Sequence, residues 1–189
     1  MSNKKIVAIV GPSGAGKSTL MWHVVDKFLH ASVVRSSTTR EPRATDHPGE
    51  YEYLNVDNFN KLIKDNAFAW NIGVHDKQYG TRKSLLNDAA SGDYISMLIL
   101  TPEAAEILYK LFPEETVFIF VLPPKAGVLR ERLLARGNLT EWMVKKRIED
   151  CVEWTKESHM SSIPYVYIRN DGLPETAFEK IDRYVESLK

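Results

Sequence analysis

The sequence predicts an α/β fold: a parallel sheet layered between helices, interrupted by a smaller inserted segment. Three observations predict it. Ile6 to Val10 is an apolar run rich in β-branched residues, ended by Gly11, with no polar alternation, as expected of a strand covered on both faces. Residues 18–29 follow with Leu20, Val24, Val25 and Phe28 at helical spacing. Two further apolar runs, 94–100 and 116–122, recur later and are each followed by a helical segment, the alternation that parallel sheets require.

Taken in order, the strand at 6–10, the glycine loop and the helix at 18–29 form the opening unit. Residues 33–55 change character, with many Thr, Arg, Glu, Tyr and Gly residues and with Pro42 and Pro48. Short strands and loops are expected there, then a small helix over 56–65. After the strand at 94–100 a helix is expected over 102–111. The strand at 116–122 is stopped by Pro123 and Pro124. Helices are expected over 126–136 and 141–157, with Gly137 at the end of the first. A last strand at 165–169 and a last helix at 174–188 complete the chain. The expected organisation is one domain over 1–189, with a core of 1–32 and 93–189, an insertion at about 33–92 and a lid at about 126–157.

Composition narrows the function classes. The 189 residues suit one domain with a real core; 43% are apolar and 26% charged, which is globular rather than disordered. Lys plus Arg equals Asp plus Glu at 25 each, and no basic-aromatic RNA motif is present, so nucleic acid is not an expected partner. The apolar run near the start is far too short for a membrane span. One cysteine, Cys151, forbids an intrachain disulfide and fits a reducing, cytoplasmic setting; at its helical position it reads as a small buried apolar residue.

The chemistry begins at residues 11–19, GPSGAGKST, which satisfy G-x-x-x-x-G-K-[ST]. Glycines let the backbone wrap so that successive N–H groups point at phosphate oxygens, and the following helix adds its positive end. Gly11, Pro12, Ser13, Gly14, Ala15, Gly16, Lys17, Ser18 and Thr19 are therefore the expected ATP-binding residues. Lys17 is expected to reach the β- and γ-phosphates, and the Ser18 hydroxyl to take a place on Mg²⁺. The motif sits between an apolar strand and a helix, the context that separates it from a chance glycine turn. It makes the fold a P-loop NTPase with a three-layer parallel sheet.

The acceptor side is carried by SSTTREPR at 36–43, where Arg40 and Arg43 place two guanidinium forks close together, a pairing suited to a phosphate. GEYEY at 49–53 and QYGT at 78–81 add the hydroxyls of Tyr51, Tyr79 and Thr81. With VDNF, PPKAGVLRERLLARG, KKRIED and IRND, this ordered series resembles the guanylate kinase family, nucleoside monophosphate kinases, almost end to end. The resemblance implies that Ser36, Arg40, Arg43, Tyr51, Tyr79 and Thr81 hold the acceptor phosphate. It implies that Arg136 covers the adenine, that Arg132 and Arg147 approach the transferring phosphoryl group, and that Asn170 lies beside the adenine ring. It further implies ATP and Mg²⁺, a nucleoside monophosphate acceptor with GMP or dGMP first, and a monomer or homodimer.

Two departures stand out. The family's Phe-x-Glu-Trp segment supplies a Glu to the guanine edge; NAFAWNIG places Trp70 there, or Ala69 with a one-residue gap. The family's Asp-x-Asp at a strand end is replaced by Leu98 and Leu100, with Glu103 the nearest acid downstream. The phosphate half of the acceptor site looks intact and the base half rebuilt. Trp70 is expected either to stack on a base or to pack in the core. Other acceptors, such as a different nucleotide or ribose 1,5-bisphosphate, stay open at this point, as does a non-catalytic binding module, against which the intact Lys17 and Ser18 argue.

Overall fold

The computed structural model describes residues 5–135, 137 and 139–188. Its first strand, β1 (Ile6–Val10), is wholly buried and leads through the glycine loop into α1 (Lys17–Lys27). The chain continues through β2 (Ala31–Val33), β3 (Ser36–Thr38), β4 (Tyr51–Tyr53), α2 (Val56–Lys64), β5 (Phe68–Val74), β6 (Lys77–Arg82) and α3 (Lys83–Ser91). Then follow β7 (Ile95–Leu100), α4 (Pro102–Leu111), β8 (Thr116–Leu122), α5 (Ala126–Leu134), α6 (Glu141–Met160), β9 (Val166–Arg169) and α7 (Pro174–Glu186). The expected elements are present, with ends shifted by a few residues. Beyond them the structure adds β2, the β5–β6 hairpin and α3.

Among the described residues the strands form two sheets, one of five in the order β2-β7-β1-β8-β9 and one of four in the order β4-β3-β6-β5. The five-stranded sheet is parallel, with Ile6 opposite Ser96 on β7 and opposite Thr116 on β8. Period-2 alternation sends the residues of β1 to two different cores. Ile6, Ala8 and Val10 pack with Leu86 of α3 and with Ala104, Ala105 and Leu108 of α4. Val7 and Ile9 pack with Leu20, Met21 and Val24 of α1 and Ala177, Ile181 and Val185 of α7. Helix, sheet, helix is thus the three-layer arrangement, and it explains why β1 carries no polar residue.

The second sheet is mixed. β3 runs parallel to β4 and antiparallel to β6, which closes a hairpin with β5. Gly80 on β6 lies where an added Cβ would sit 2.9 Å from the Phe68 ring, so that ring packs directly over the β6 backbone in the room a side chain would take. The hairpin loop is His75 and Asp76, both at positive φ (47° and 62°), the backbone of a two-residue type I′ turn. A small third cluster, Leu129 and Leu133 of α5 with Val144 and Cys151 of α6, holds those two helices together. Cys151 is buried there, and burial pushes its thiol pKa up, so it packs as a small apolar residue. No helix among the described residues is long and apolar enough to cross a membrane.

Candidate active site

The glycine loop crosses the C-terminal end of β1, the edge where open parallel sheets place ligands. Two of its turns demand glycine on both conformational and steric grounds. Gly11 has φ 142°, and a Cβ there would lie 2.6 Å from the Val121 carbonyl oxygen. Gly16 caps α1 in the left-handed region at φ 99°, and a Cβ would lie 2.1 Å from Asn170 Nδ2. Asn170 is buried and donates from Nδ2 to the Ala15 carbonyl at 2.9 Å. Its side-chain donor therefore braces the underside of the loop. Lys17 Nζ donates to the Gly11 and Pro12 carbonyls at 2.6 and 2.9 Å, holding the ammonium across the mouth of the loop.

Arginines approach the loop from the last third of the chain. Arg132 Nη1, on α5, lies 3.5 Å from the Gly14 carbonyl and 3.3 Å from that of Asn170. Arg147, on α6, is buried and donates to Ser13 Oγ at 2.9 Å. Burial first, and the like charge of Arg43 second, lower its pKa from the ordinary guanidinium value. Cations crowded together at partial burial form a site that an anion relieves. Arg136 lies outside the described residues.

The residues expected at the acceptor phosphate come from the second sheet and the loop that follows β3. Arg40 is buried, and its guanidinium forks onto Asp46, with Nη1 at 2.8 Å and Nη2 at 3.1 Å. It also lies over the Tyr51 ring at 4.9 Å and the Tyr53 ring at 5.7 Å. Burial is the largest single influence and opposes its charge, but the Asp46 hydrogen bond and the Asp46 charge together outweigh it and raise its pKa. Asp46 is itself held by Tyr53 Oη and the Arg43 N–H, both donating at 2.7 Å. Burial works against its charge too, yet the Arg40 and Tyr53 hydrogen bonds win and lower its pKa. Burial and the Asp46 contact push the Tyr53 hydroxyl up to about 12, so it stays a donor. Burial raises the Tyr51 hydroxyl as well. Ser36 Oγ and Thr81 Oγ1 lie 3.4 Å apart, and the rings of Tyr51 and Tyr79 meet edge-on at 6.4 Å.

Most of the loop residues, Arg147 and the Arg40, Arg43 and hydroxyl groups share one cavity of about 420 Å³. Its lining runs from the loop, at Gly11, Ser13, Gly14, Gly16, Lys17, Ser18 and Thr19, through Arg147, to Ser36, Arg40, Arg43, Tyr51, Tyr79 and Thr81. Pro12 and Ala15 sit behind the loop, fully buried in its frame. Trp70 is nine-tenths buried and packs in the core, one of its two expected roles, and it also lines the cavity. It sits opposite Thr81 in the hairpin register, and Ile72 sits opposite Tyr79. Trp70, Ile72 and Val74 share the cavity-facing side of β5 and continue into Leu100, Ala104 and Trp154. The wall beside the acceptor-phosphate residues is therefore apolar and aromatic.

Of the acidic residues in the lining, Asp150 is engaged by His75 Nε2 at 3.3 Å and by Lys146 at 3.7 Å. Burial, and then the Arg147 charge, lower the His75 pKa from the ordinary imidazole value, against the pull of Asp150. Asp46 and Glu50 belong to the site without any motif in the sequence to mark them. Glu50 is buried and accepts from Ser18 Oγ and from Trp22 Nε1, both at 3.1 Å. Their signal, a carboxylate adjoining motif residues, gains meaning only once the partners are seen.

A magnesium ion fits this donor set. Ser18 lies in the cleft lining beside the phosphate loop, and no cluster of three or more His, Cys, Asp or Glu residues among those described would form an all-protein cage. That combination suits a hard cation held largely by phosphate oxygens and water.

Comparison with known proteins agrees with this architecture. The sequence model of guanylate kinase matches residues 3–188. A guanylate kinase of Caldanaerobacter subterraneus subsp. tengcongensis is 34% identical over 194 residues, covering 100% of this chain and 88% of that protein. One of Hydrogenovibrio crunogenus is 34% identical over 163 residues, covering 86% of this chain and 78% of that protein. The crystal structure of guanylate kinase from Anaplasma phagocytophilum superposes with a TM-score of 0.70 over 99% of this chain and 87% of that one; at 22% identity that likeness speaks for the fold. With the whole chain matched, and with a phosphate loop and an arginine cluster facing one cleft, the chain belongs to the guanylate kinase family of nucleoside monophosphate kinases.

Proposed function

We propose that the protein transfers the γ-phosphate of MgATP to GMP or dGMP. The observation that carries this is the single cavity joining the phosphate loop to the Arg40–Arg43 grip, with Arg147 lining it. Two phosphate sites in one cleft let donor and acceptor meet without release of an intermediate. The acceptor phosphate is already anionic, so the chemistry needs no general base; it needs positioning and charge neutralisation.

The chain supplies both. Loop N–H groups and the α1 N-terminus hold the donor phosphates, with Lys17 across the β- and γ-oxygens. Ser18 would hold the magnesium ion, which when bound neutralises phosphate charge and sets the donor geometry. Arg40, oriented by Asp46, and Arg43 grip the acceptor phosphate, with Ser36, Tyr51, Tyr79 and Thr81 supplying hydroxyls. Arg132 and Arg147, already at the loop, neutralise charge on the group in transit. Asn170 keeps the loop in shape under load.

Base recognition follows from the apolar wall. Guanine offers N–H donors that a carboxylate accepts well, and Trp70, Ile72 and Leu100 offer none. The base is held by stacking and shape, and discrimination between guanine and other purines falls well short of the roughly 10⁴–10⁵ of a dedicated polar reader. A coupled ADP-release assay across GMP, dGMP, IMP, AMP and ribose 1,5-bisphosphate tests the reading. GMP and dGMP should turn over, IMP should follow within roughly tenfold, and Lys17→Ala should abolish transfer while leaving the melting curve unchanged. Turnover of ribose 1,5-bisphosphate in place of the nucleotides, or full turnover by Lys17→Ala, would overturn it.

A further inference from the structure

Glu50 stands apart from the residues already given a task. It is 5% exposed, a carboxylate sunk between two elements of different origin. One oxygen accepts from Ser18 Oγ and the other from Trp22 Nε1. Ser18 and Trp22 lie one turn apart on α1, so both donors come from a single helix face. Glu50 belongs to the segment leading into β4, directly before the acceptor-site residue Tyr51. Its N–H closes a turn on the His47 carbonyl at 3.2 Å, and the His47 ring stacks on Trp22 at 4.5 Å. The segment is thereby clamped to α1 at two points.

We propose that Glu50 is a positioning residue for the metal: it orients the Ser18 hydroxyl so that an oxygen lone pair, and not the proton, faces a bound divalent cation. A serine hydroxyl has one proton and two lone pairs. Donation to a buried carboxylate fixes the proton on the side away from the cleft and makes the oxygen a better ligand, as outer partners do at metal sites generally. Glu50 also places a negative charge next to the cation position. The end of β7 offers no such group, since it reads Ile99, Leu100 and then Thr101, whose hydroxyl caps α4 by accepting from Ala104 N at 3.3 Å. Support for the metal ligand thus comes from the acceptor segment, which makes one turn responsible for both halves of the cleft.

This inference rests on the kinase reading, and its test separates the two. ADP binding is measured by calorimetry in EDTA and across a Mg²⁺ titration, for the unaltered chain, Glu50→Gln and Trp22→Phe. The amide of Glu50→Gln is nearly isosteric and keeps one acceptor oxygen, while Trp22→Phe removes the other partner of Glu50 without touching Ser18. The expected result is unchanged metal-free ADP affinity in all three, with the Mg²⁺-dependent gain reduced about 10- to 100-fold in Glu50→Gln alone. An equal gain in Glu50→Gln and the unaltered chain would overturn the inference. So would an equal loss in Trp22→Phe, which would make Glu50 a packing residue. Absence of MgADP binding in the unaltered chain would overturn the kinase reading itself and this inference with it.

Discussion

Asp46 shows how one residue can govern a site it does not enter. Four donors converge on it: two from Arg40, the Arg43 N–H and the Tyr53 hydroxyl. Replacing it with Asn at neutral pH should cost roughly 2 kcal/mol of stability, the scale of a lost charged hydrogen bond, and should raise the KM for the acceptor more than it changes kcat. The pH dependence has a definite sign. The folded-state pKa of Asp46 is lowered, so its contribution is complete above the ordinary carboxylate value and is lost as pH falls through the folded value. Urea midpoints of parent and Asp46→Asn, followed from about pH 7 to about pH 3, should therefore converge at the acid end; a constant gap would refute the assignment. The arginines and hydroxyls of this site are legible in the sequence because their residue types and spacing announce an oxyanion. Asp46 and Glu50 are not, because an acid in a loop looks like any solvated acid until burial and partners are known. Trp70 was legible as an aromatic at a telling position, but only packing shows that it is core and cleft wall together.

At the scale of elements, the helix after the loop and the two apolar core strands follow from spacing alone, and their capping agrees, as with Thr101 before α4 and Thr140 before α6. The β5–β6 hairpin was harder to see. Phe68, Trp70, Ile72 and Val74 do alternate, but the turn between the strands is His75-Asp76, which lacks the Asn-Gly or Asp-Gly signature of a two-residue loop. Helix α3 gave less still, since it begins without a side-chain cap. The turn carries a testable strain. Asp76 holds φ 62°, where glycine is the favoured residue at the second position of a type I′ turn. Asp76→Gly should therefore stabilise the protein by about 0.5–1 kcal/mol, read as a higher denaturant midpoint with unchanged slope. His75→Gly should gain less, because it also gives up the contact with Asp150.

For the whole molecule, the cleft lies between the five-stranded sheet with its phosphate loop and the four-stranded sheet with the proposed acceptor grip, and Arg147 and Asp150 of α6 border both. Productive transfer requires these walls to exclude water, so a bisubstrate analogue should draw them together and reduce the radius of gyration in solution scattering; superimposable profiles with and without it would count against closure. The sheet order has another consequence. β1 pairs with β7 and β8, whose residues lie about ninety and more than a hundred positions downstream. On the ribosome, where roughly 5–20 residues are added each second, the phosphate loop is made well before the two strands that flank β1. Synthesis must run past Leu122 before the loop is anchored on both sides. The part of the protein that is easiest to recognise in its sequence thus gains its flanking strands only after most of the chain has been made.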